Sequence, residues 1–281
     1  MTISRNIAWL AAVGAMVSCQ GGASLAKYLF PVVGPSAATF LRVGIAAVLM
    51  LFAFRPKLHR LTTEQWRRIV LYGLSVALMN LVFYHALETV PLGVCVTVEF
   101  IGPLALALLF SRRPLDYLWT ALAVAGILMI VPWKHSACDV GLNGILWAVG
   151  AGVGWALYIL ATNHVTKITP THEAAPLGMT VAAIASLPFA LCSGGLTAFN
   201  SSILLPTLGV ATFSSALPFT FELIALKGLP EKTFSITLSV EPAIAALSGF
   251  VFLREALTPL QLAAMVLVIV ASLGSTLTAK K

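Results

Sequence analysis

Residues 92–110 read LGVCVTVEFIGPLALALLF. A helix needs roughly 20 mostly apolar residues to cross a bilayer, and this run has that length and character. Two of its residues are out of place on a lipid-facing helix. Glu99 puts a carboxyl near the middle, and a carboxyl at membrane depth is costly and faces the bundle interior. Pro103, four residues on, lacks an amide and so frees a backbone carbonyl, which is tolerated where it faces protein or a water-filled cavity. Pro103 reads either as part of a site with Glu99 or as a packing kink.

The same features return later in the chain. Pro91 and Pro103 recur as Pro230 and Pro242, and Ala107-Leu108 as Ala246-Leu247, all at an offset of 139, with Glu241 directly before Pro242. Ala12-Val13-Gly14-Ala15 recurs as Ala148-Val149-Gly150-Ala151 at an offset of 136. Phe110, Arg112 and Leu115 recur as Phe252, Arg254 and Leu257 at 142. Each match is weak alone, but their order and slowly drifting offset indicate a duplication, with repeats over 7–133 and 141–278.

The whole chain matches the character of this stretch. It has 281 residues, 59% of them hydrophobic, with a mean hydropathy of +0.96 and only 10% charged residues, against about 25% charged in a soluble domain. Lipid is the solvent such a chain requires. Cys19, Cys95, Cys138 and Cys192 form no CxxC pair and no metal-ligand spacing with histidine, so they read as small buried apolar residues. Arg5 followed by an apolar run to Leu29 resembles a signal peptide, but the run is too long for one and is read as an uncleaved first membrane helix.

The sequence therefore predicts an all-α integral membrane protein with ten transmembrane helices. They fall near 7–27, 35–54, 69–88, 92–110, 115–132, 141–162, 174–194, 203–226, 233–253 and 259–277, separated by turn and charge signals such as Pro31 to Pro35 and Arg55 to Arg68. With the N-terminus cytoplasmic, thirteen of the seventeen Lys and Arg residues fall in inside segments and three, Lys27, Lys134 and Arg254, outside; Arg42 lies within a span. That is a strong positive-inside signal and places both termini in the cytoplasm. The net charge of +7 is thus a topology signal and not a nucleic-acid patch. Five spans per repeat is an odd number, so the direct repeat in sequence becomes an inverted repeat in the membrane. This is a common design of secondary transporters, which bind substrate between the halves near the midplane.

The polar residues inside the predicted spans are the candidate site. Arg42, Asn80, Glu99 and Glu241 lie near span centres, Gln20 lies mid-span beside Gly21 and Gly22, and Glu222 lies nearer the cytoplasmic end of its helix. Arg42 stays charged and needs a partner, for which Glu99 and Glu241 are the candidates. One reading makes the set a zwitterion site: Arg42 meets a substrate carboxylate, and a glutamate meets the ammonium or carries a coupling proton. The other makes it a structural ion pair locking helix 2 to helix 4 or 9. Pro218 and Pro242 interrupt helices 8 and 9 as Pro103 does helix 4. Gly150-x-x-x-Gly154 permits close helix contact. Trp155 and Tyr158, three apart on one face, either line an apolar compartment or pack, and Tyr84, one turn beyond Asn80, has similar standing.

No GxSxG, HExxH or DDxxD pattern is present, so enzymatic chemistry, metals and cofactors are not expected. Without a Walker A motif, an ion gradient is the remaining energy source.

Two five-helix repeats, each with a Pro-kinked fourth helix, resemble the EamA-type branch of the drug/metabolite transporter superfamily over nearly the whole chain. Further stretches carry the resemblance: Gln20 to Lys27, Val90-Pro91-Leu92-Gly93, Glu99-Phe100 with Gly102-Pro103-Leu104-Ala105, Ser111 to Pro114, Trp155 with Tyr158-Ile159-Leu160, Ala216-Leu217-Pro218, Glu241-Pro242-Ala243 and Gly274 to Thr278. The resemblance implies an inner-membrane exporter of small amphiphilic amino acids such as threonine or homoserine, driven by the proton motive force. Export of aromatic amino acids or drug-like amphiphiles on the same fold is the nearest alternative, and a non-transporting scaffold or a channel is the alternative from another class. The expected partners are a small amino acid, protons and the lipid bilayer.

Overall fold

In the computed structural model, which describes residues 4–58, 61–110, 114–130 and 141–278, the chain is helical throughout, with no strand among the described residues. The helices are α1 (Arg5–Lys27), α2 (Phe30–Phe54), α3 (Thr63–Thr89), α4 (Leu92–Glu99), α5 (Ile101–Phe110), α6 (Pro114–Ile130), α7 (Leu142–Val165), α8 (Thr171–Cys192), α9 (Ser201–Ala211), α10 (Leu217–Gly228), α11 (Glu231–Leu238), α12 (Glu241–Ser248) and α13 (Pro259–Thr278). A π-helical turn, Thr212–Ala216, joins α9 to α10, and another, Gly249–Leu253, follows α12.

Among the described residues, nine helical segments are long and apolar enough to cross a membrane, among them Leu92–Phe110, Ser201–Glu222 and Thr233–Leu253, each of which runs through a break. α6 has 17 residues, and the end of the predicted span 115–132 lies outside the described residues. So do Arg60, Arg112, Arg113, Lys134, Lys280 and Lys281, which contribute to the orientation argument.

Two boundaries differ from the sequence reading. α3 begins at Thr63 and not near 69, because Thr62 and Gln65 form a capping box that organises a charged first turn. That turn, with Glu64, Arg67 and Arg68, had the composition of a linker. α2 begins at Phe30, before Pro35, and absorbs the proline by bending at Gly34, whose φ of 72° suits a residue without a Cβ.

The breaks in the fourth and ninth predicted spans fall at their carboxylates. α4 ends on Glu99, Phe100 turns the chain, and α5 resumes at Ile101. α11 ends at Leu238, and α12 starts at Glu241 with Pro242 in its first turn. Pro218 likewise sits in the first turn of α10, directly after a π-helical turn. Each of these two prolines stands in the first turn of its helix, where its missing amide costs least.

The packing joins the first part of the chain to the second. α1 packs on α10, α2 on α8, α3 on α7, α4 on α12, and α6 on α13. Small residues set the closest approaches. A Cβ on Gly93 of α4 would lie 2.7 Å from the Ala246 backbone of α12, one on Gly154 of α7 would lie 2.8 Å from Met79 Cα of α3, and one on Gly102 of α5 would lie 1.8 Å from the Gly152 carbonyl oxygen of α7. The close contact expected of the α7 glycines is therefore present, with Gly152 as a third member between Gly150 and Gly154.

Candidate functional site

Where α1, α2, α3, α12 and the Thr212–Ala216 turn come together, the chain buries a cluster of polar side chains. Arg42 of α2 is 7% exposed. It donates through Nη2 to Asn80 Oδ1 of α3, and through Nη1 to Ser214 Oγ at 3.4 Å. Its guanidinium carbon lies 4.8 Å from the ring centroid of Tyr84, one helical turn beyond Asn80. Such a contact contributes most when both groups are shielded from water, and Tyr84 is fully buried. Asn80 is fixed in turn by donating from Nδ2 to the Val76 carbonyl at 2.7 Å. On the other side of the cluster, Gln20 Nε2 donates to Glu241 Oε1 at 2.8 Å.

The ion partner expected for Arg42 is replaced by neutral groups. The ion pairs among the described residues are Lys27–Glu255 and Arg68–Glu64, so Arg42 pairs with neither Glu99 nor Glu241. The physical reason is geometric. Asn80 and Ser214 occupy the guanidinium edge and Tyr84 its face, while Glu241 is engaged by Gln20. Among the described residues, four buried polar atoms on these elements make no hydrogen bond: Gln20 Oε1, Arg42 Nε, Tyr84 Oη and Ser215 Oγ. Buried polar groups are normally hydrogen-bonded, and these unmatched donors and acceptors single out the cluster as the candidate site.

The remaining candidates divide. Glu99 is 8% exposed, at the end of α4. Trp155 stacks edge-on against Phe100, at 4.9 Å between centroids, and so packs on the break that follows Glu99. Tyr158 does not share that environment. It lies 5.7 Å from Tyr72, against a separate core of α3 and α8 residues, and the helical twist between α7 and its neighbours splits the two aromatics. Glu222 is half-buried on α10. Pro103, Pro218 and Pro242 stand at the breaks just described.

The sequence reading missed Ser214 and Ser215. Serines carry no signal in an apolar span; Ser214 reaches Arg42 from the π-helical turn in which Ser215 is also buried, and Pro218 close by was the available hint. It also missed a clamp at one end of the bundle. Lys27 Nζ pairs with Glu255 Oε1 at 2.7 Å and donates to the Val90 carbonyl at 3.1 Å, while Glu255 Oε2 accepts from the Leu92 amide at 2.7 Å. Glu255 thus ties the end of α1 to the start of α4. Replacing it with alanine removes both an ion pair and a helix cap and is expected to cost about 2 kcal/mol. Lys27→Met, which leaves the cap, should cost clearly less. Thermal unfolding of the detergent-solubilised variants checks this, and equal losses would show that the cap contributes nothing.

A bundle of broken apolar helices around a buried polar centre is that of a multi-pass membrane protein. Over residues 142–277 the chain matches the EamA-like transporter family. It is 44% identical over 268 residues to the threonine/homoserine exporter RhtA of Escherichia coli (strain K12), covering 95% of this chain and 90% of that protein. It is 43% identical over 267 residues to RhtA of Salmonella typhimurium (strain LT2), with the same coverage. The uncharacterized transporter YwfM of Bacillus subtilis (strain 168) is 25% identical over 234 residues, covering 78% and 76% of the two chains. A protein known from its crystal structure superposes with a TM-score of 0.63 over 98% of both chains at 20% identity, which establishes the shared fold. The chain belongs to the EamA-like transporter family.

Proposed function

We propose that the protein is a secondary exporter of small amino acids of the threonine and homoserine type. It would be coupled to protons and work by alternating access between two inverted halves of five spans each, 7–133 and 141–278. The observation that carries this reading is that two hydrogen bonds of the polar centre cross between the halves, alongside the Arg42–Asn80 bond within the first. Arg42 of the first half binds Ser214 of the second, and Gln20 of the first binds Glu241 of the second. A fixed cation and a carboxyl are the complement of a zwitterion, with Arg42 for the substrate carboxylate and Glu241 for the ammonium. Glu99 is the carboxyl left to carry the coupling proton.

The pattern of helix pairing supports the inverted repeat. Numbering the spans from one to ten, the pairs are 1 with 8, 2 with 7, 3 with 6, 4 with 9 and 5 with 10. Exchanging each span with the one five places away maps this set onto itself, as a two-fold relation between the halves requires. The first half carries Glu99 and the second Glu241 at the break of their fourth helices. The excess of Lys and Arg in the segments assigned inside supports cytoplasmic termini in a bacterial inner membrane. The 44% identity to an exporter of threonine and homoserine favours small amino acids over aromatic ones.

Reconstituted proteoliposomes test the reading. With a pH gradient imposed, labelled threonine and homoserine are expected to accumulate and phenylalanine to lag far behind, with Glu99→Gln abolishing the gradient dependence. Faster movement of phenylalanine would shift the assignment to aromatic substrates, and flux without saturation would indicate a channel. Full proton-driven transport in both Glu99→Gln and Glu241→Gln would remove the carboxyls from the mechanism.

A further inference from the structure

A groove of about 550 Å³ runs between α3 and α7, separate from the polar centre. Its wall is a stripe of leucines, Leu71, Leu74 and Leu78 on α3 facing Leu157 and Leu160 on α7. Leu71, Leu74 and Leu157 are 55%, 47% and 44% exposed, so the groove is open and lined with oil. One end is polar. α3 starts and α7 ends there, which brings Glu64, Arg67 and Arg68 together with His164.

Arg68 is committed to the protein, through Nε to Glu64 at 2.8 Å and through Nη1 to the His164 carbonyl at 2.9 Å. Glu64 is neutralised by the same contact. Arg67 is exposed, and it forms no hydrogen bond or ion pair among the described residues. The loop carrying exposed Lys167 is drawn to this end, since Gln65 Nε2 donates to the Ile168 carbonyl at 2.8 Å. The polar end therefore has an unspent positive charge, strengthened by the positive end of the α3 dipole. Trp66 beside it is 36% exposed, an aromatic of the kind that settles at headgroup level.

The dimensions also point to an occupant. From Arg67 to Leu78 the stripe runs about 16 Å at 1.5 Å per residue, close to half of the roughly 30 Å hydrocarbon core. A charged head over one leaflet's depth of apolar wall has the proportions of a phospholipid.

We propose that this groove is a binding site for an anionic glycerophospholipid of the leaflet at the basic end. Arg67 holds the phosphate-bearing headgroup, and the leucine stripe takes one acyl chain. A zwitterionic lipid fills the same wall but brings its own cation to the unpaired guanidinium, so the headgroup sets the preference.

Native mass spectrometry of the purified full-length protein, titrated with dioleoylphosphatidylglycerol or dioleoylphosphatidylcholine, tests the site. One guanidinium near a headgroup is expected to favour the anionic lipid about fivefold. Arg67→Gln should bring the two lipids to equal retention; Arg67 is exposed, so folding is not at issue in that variant. Lys57→Gln, at an exposed residue outside the groove, should leave the preference intact. Ala161→Trp, which fills the groove, should reduce retention of both lipids. Equal binding of the two lipids by the unmodified protein would overturn the proposal, as would an unchanged preference in Arg67→Gln. So would displacement of the lipid by glycerol phosphate alone, which would make this a site for soluble anions.

Discussion

Arg42→Ala is expected to reduce homoserine transport at least about a hundredfold, because hydrogen bonds to a charged group contribute about 1.5–3 kcal/mol each and a carboxylate takes two from a guanidinium. Arg42 donates to Asn80 and Ser214, lies over Tyr84, and retains a buried Nε that makes no hydrogen bond among the described residues. Alanine removes the cation and leaves the Asn80 carbonyl oxygen without its donor. Arg42→Lys should rescue little, since an ammonium is a point charge that cannot bind along an edge and lie over a ring together. Initial rates of labelled homoserine uptake, normalised to reconstituted protein, check this. A loss of unfolding temperature in Arg42→Ala with transport preserved would assign Arg42 to structure alone.

Gly102→Ala should be among the most damaging of the single-methyl changes in the bundle. The new Cβ would lie 1.8 Å from the Gly152 carbonyl oxygen, a backbone atom that cannot swing aside, so α5 must move off α7. Overpacking of this kind costs about 3 kcal/mol. The same move disturbs the site, because the Glu99 carbonyl lies 2.7 Å from the Cβ position of Gly152. A large fall in the thermal midpoint and a loss of transport are expected together. Gly209→Ala on α9, where nothing lies within 4 Å of the new Cβ, is the control and should be neutral. Similar midpoints for the two variants would show that the α5–α7 contact is looser than described.

The all-helical membrane fold was legible in the sequence because lipid makes unusually strict demands: a span must be long, apolar and internally hydrogen-bonded. The runs 92–110 and 259–277 announce themselves for that reason. Helix ends were less legible, since Glu64, Arg67 and Arg68 look the same in a loop as in a capped first turn. At the candidate site, rarity was the guide. Arg42, Asn80, Gln20 and Glu241 stand out because polar groups are scarce in such spans, and the structure gathers them. What rarity could not supply was pairing. Arg42 to Asn80 and Ser214, and Glu241 to Gln20, depend on the π-helical turn and on helix rotations that set which polar faces meet. Tyr158 illustrates the same limit, sharing a helix face with Trp155 yet packing on Tyr72. Lys27 and Glu255 meet across 228 residues of chain, a separation that no local pattern encodes.

Equilibrium binding of homoserine to the purified protein, followed by isothermal titration, tests the location of the site most directly. Saturable binding of one homoserine per chain is predicted, lost in Arg42→Ala and weakened in Glu241→Gln, with both variants still folded by thermal unfolding. Undiminished homoserine binding in folded Arg42→Ala would contradict a site where the two halves meet.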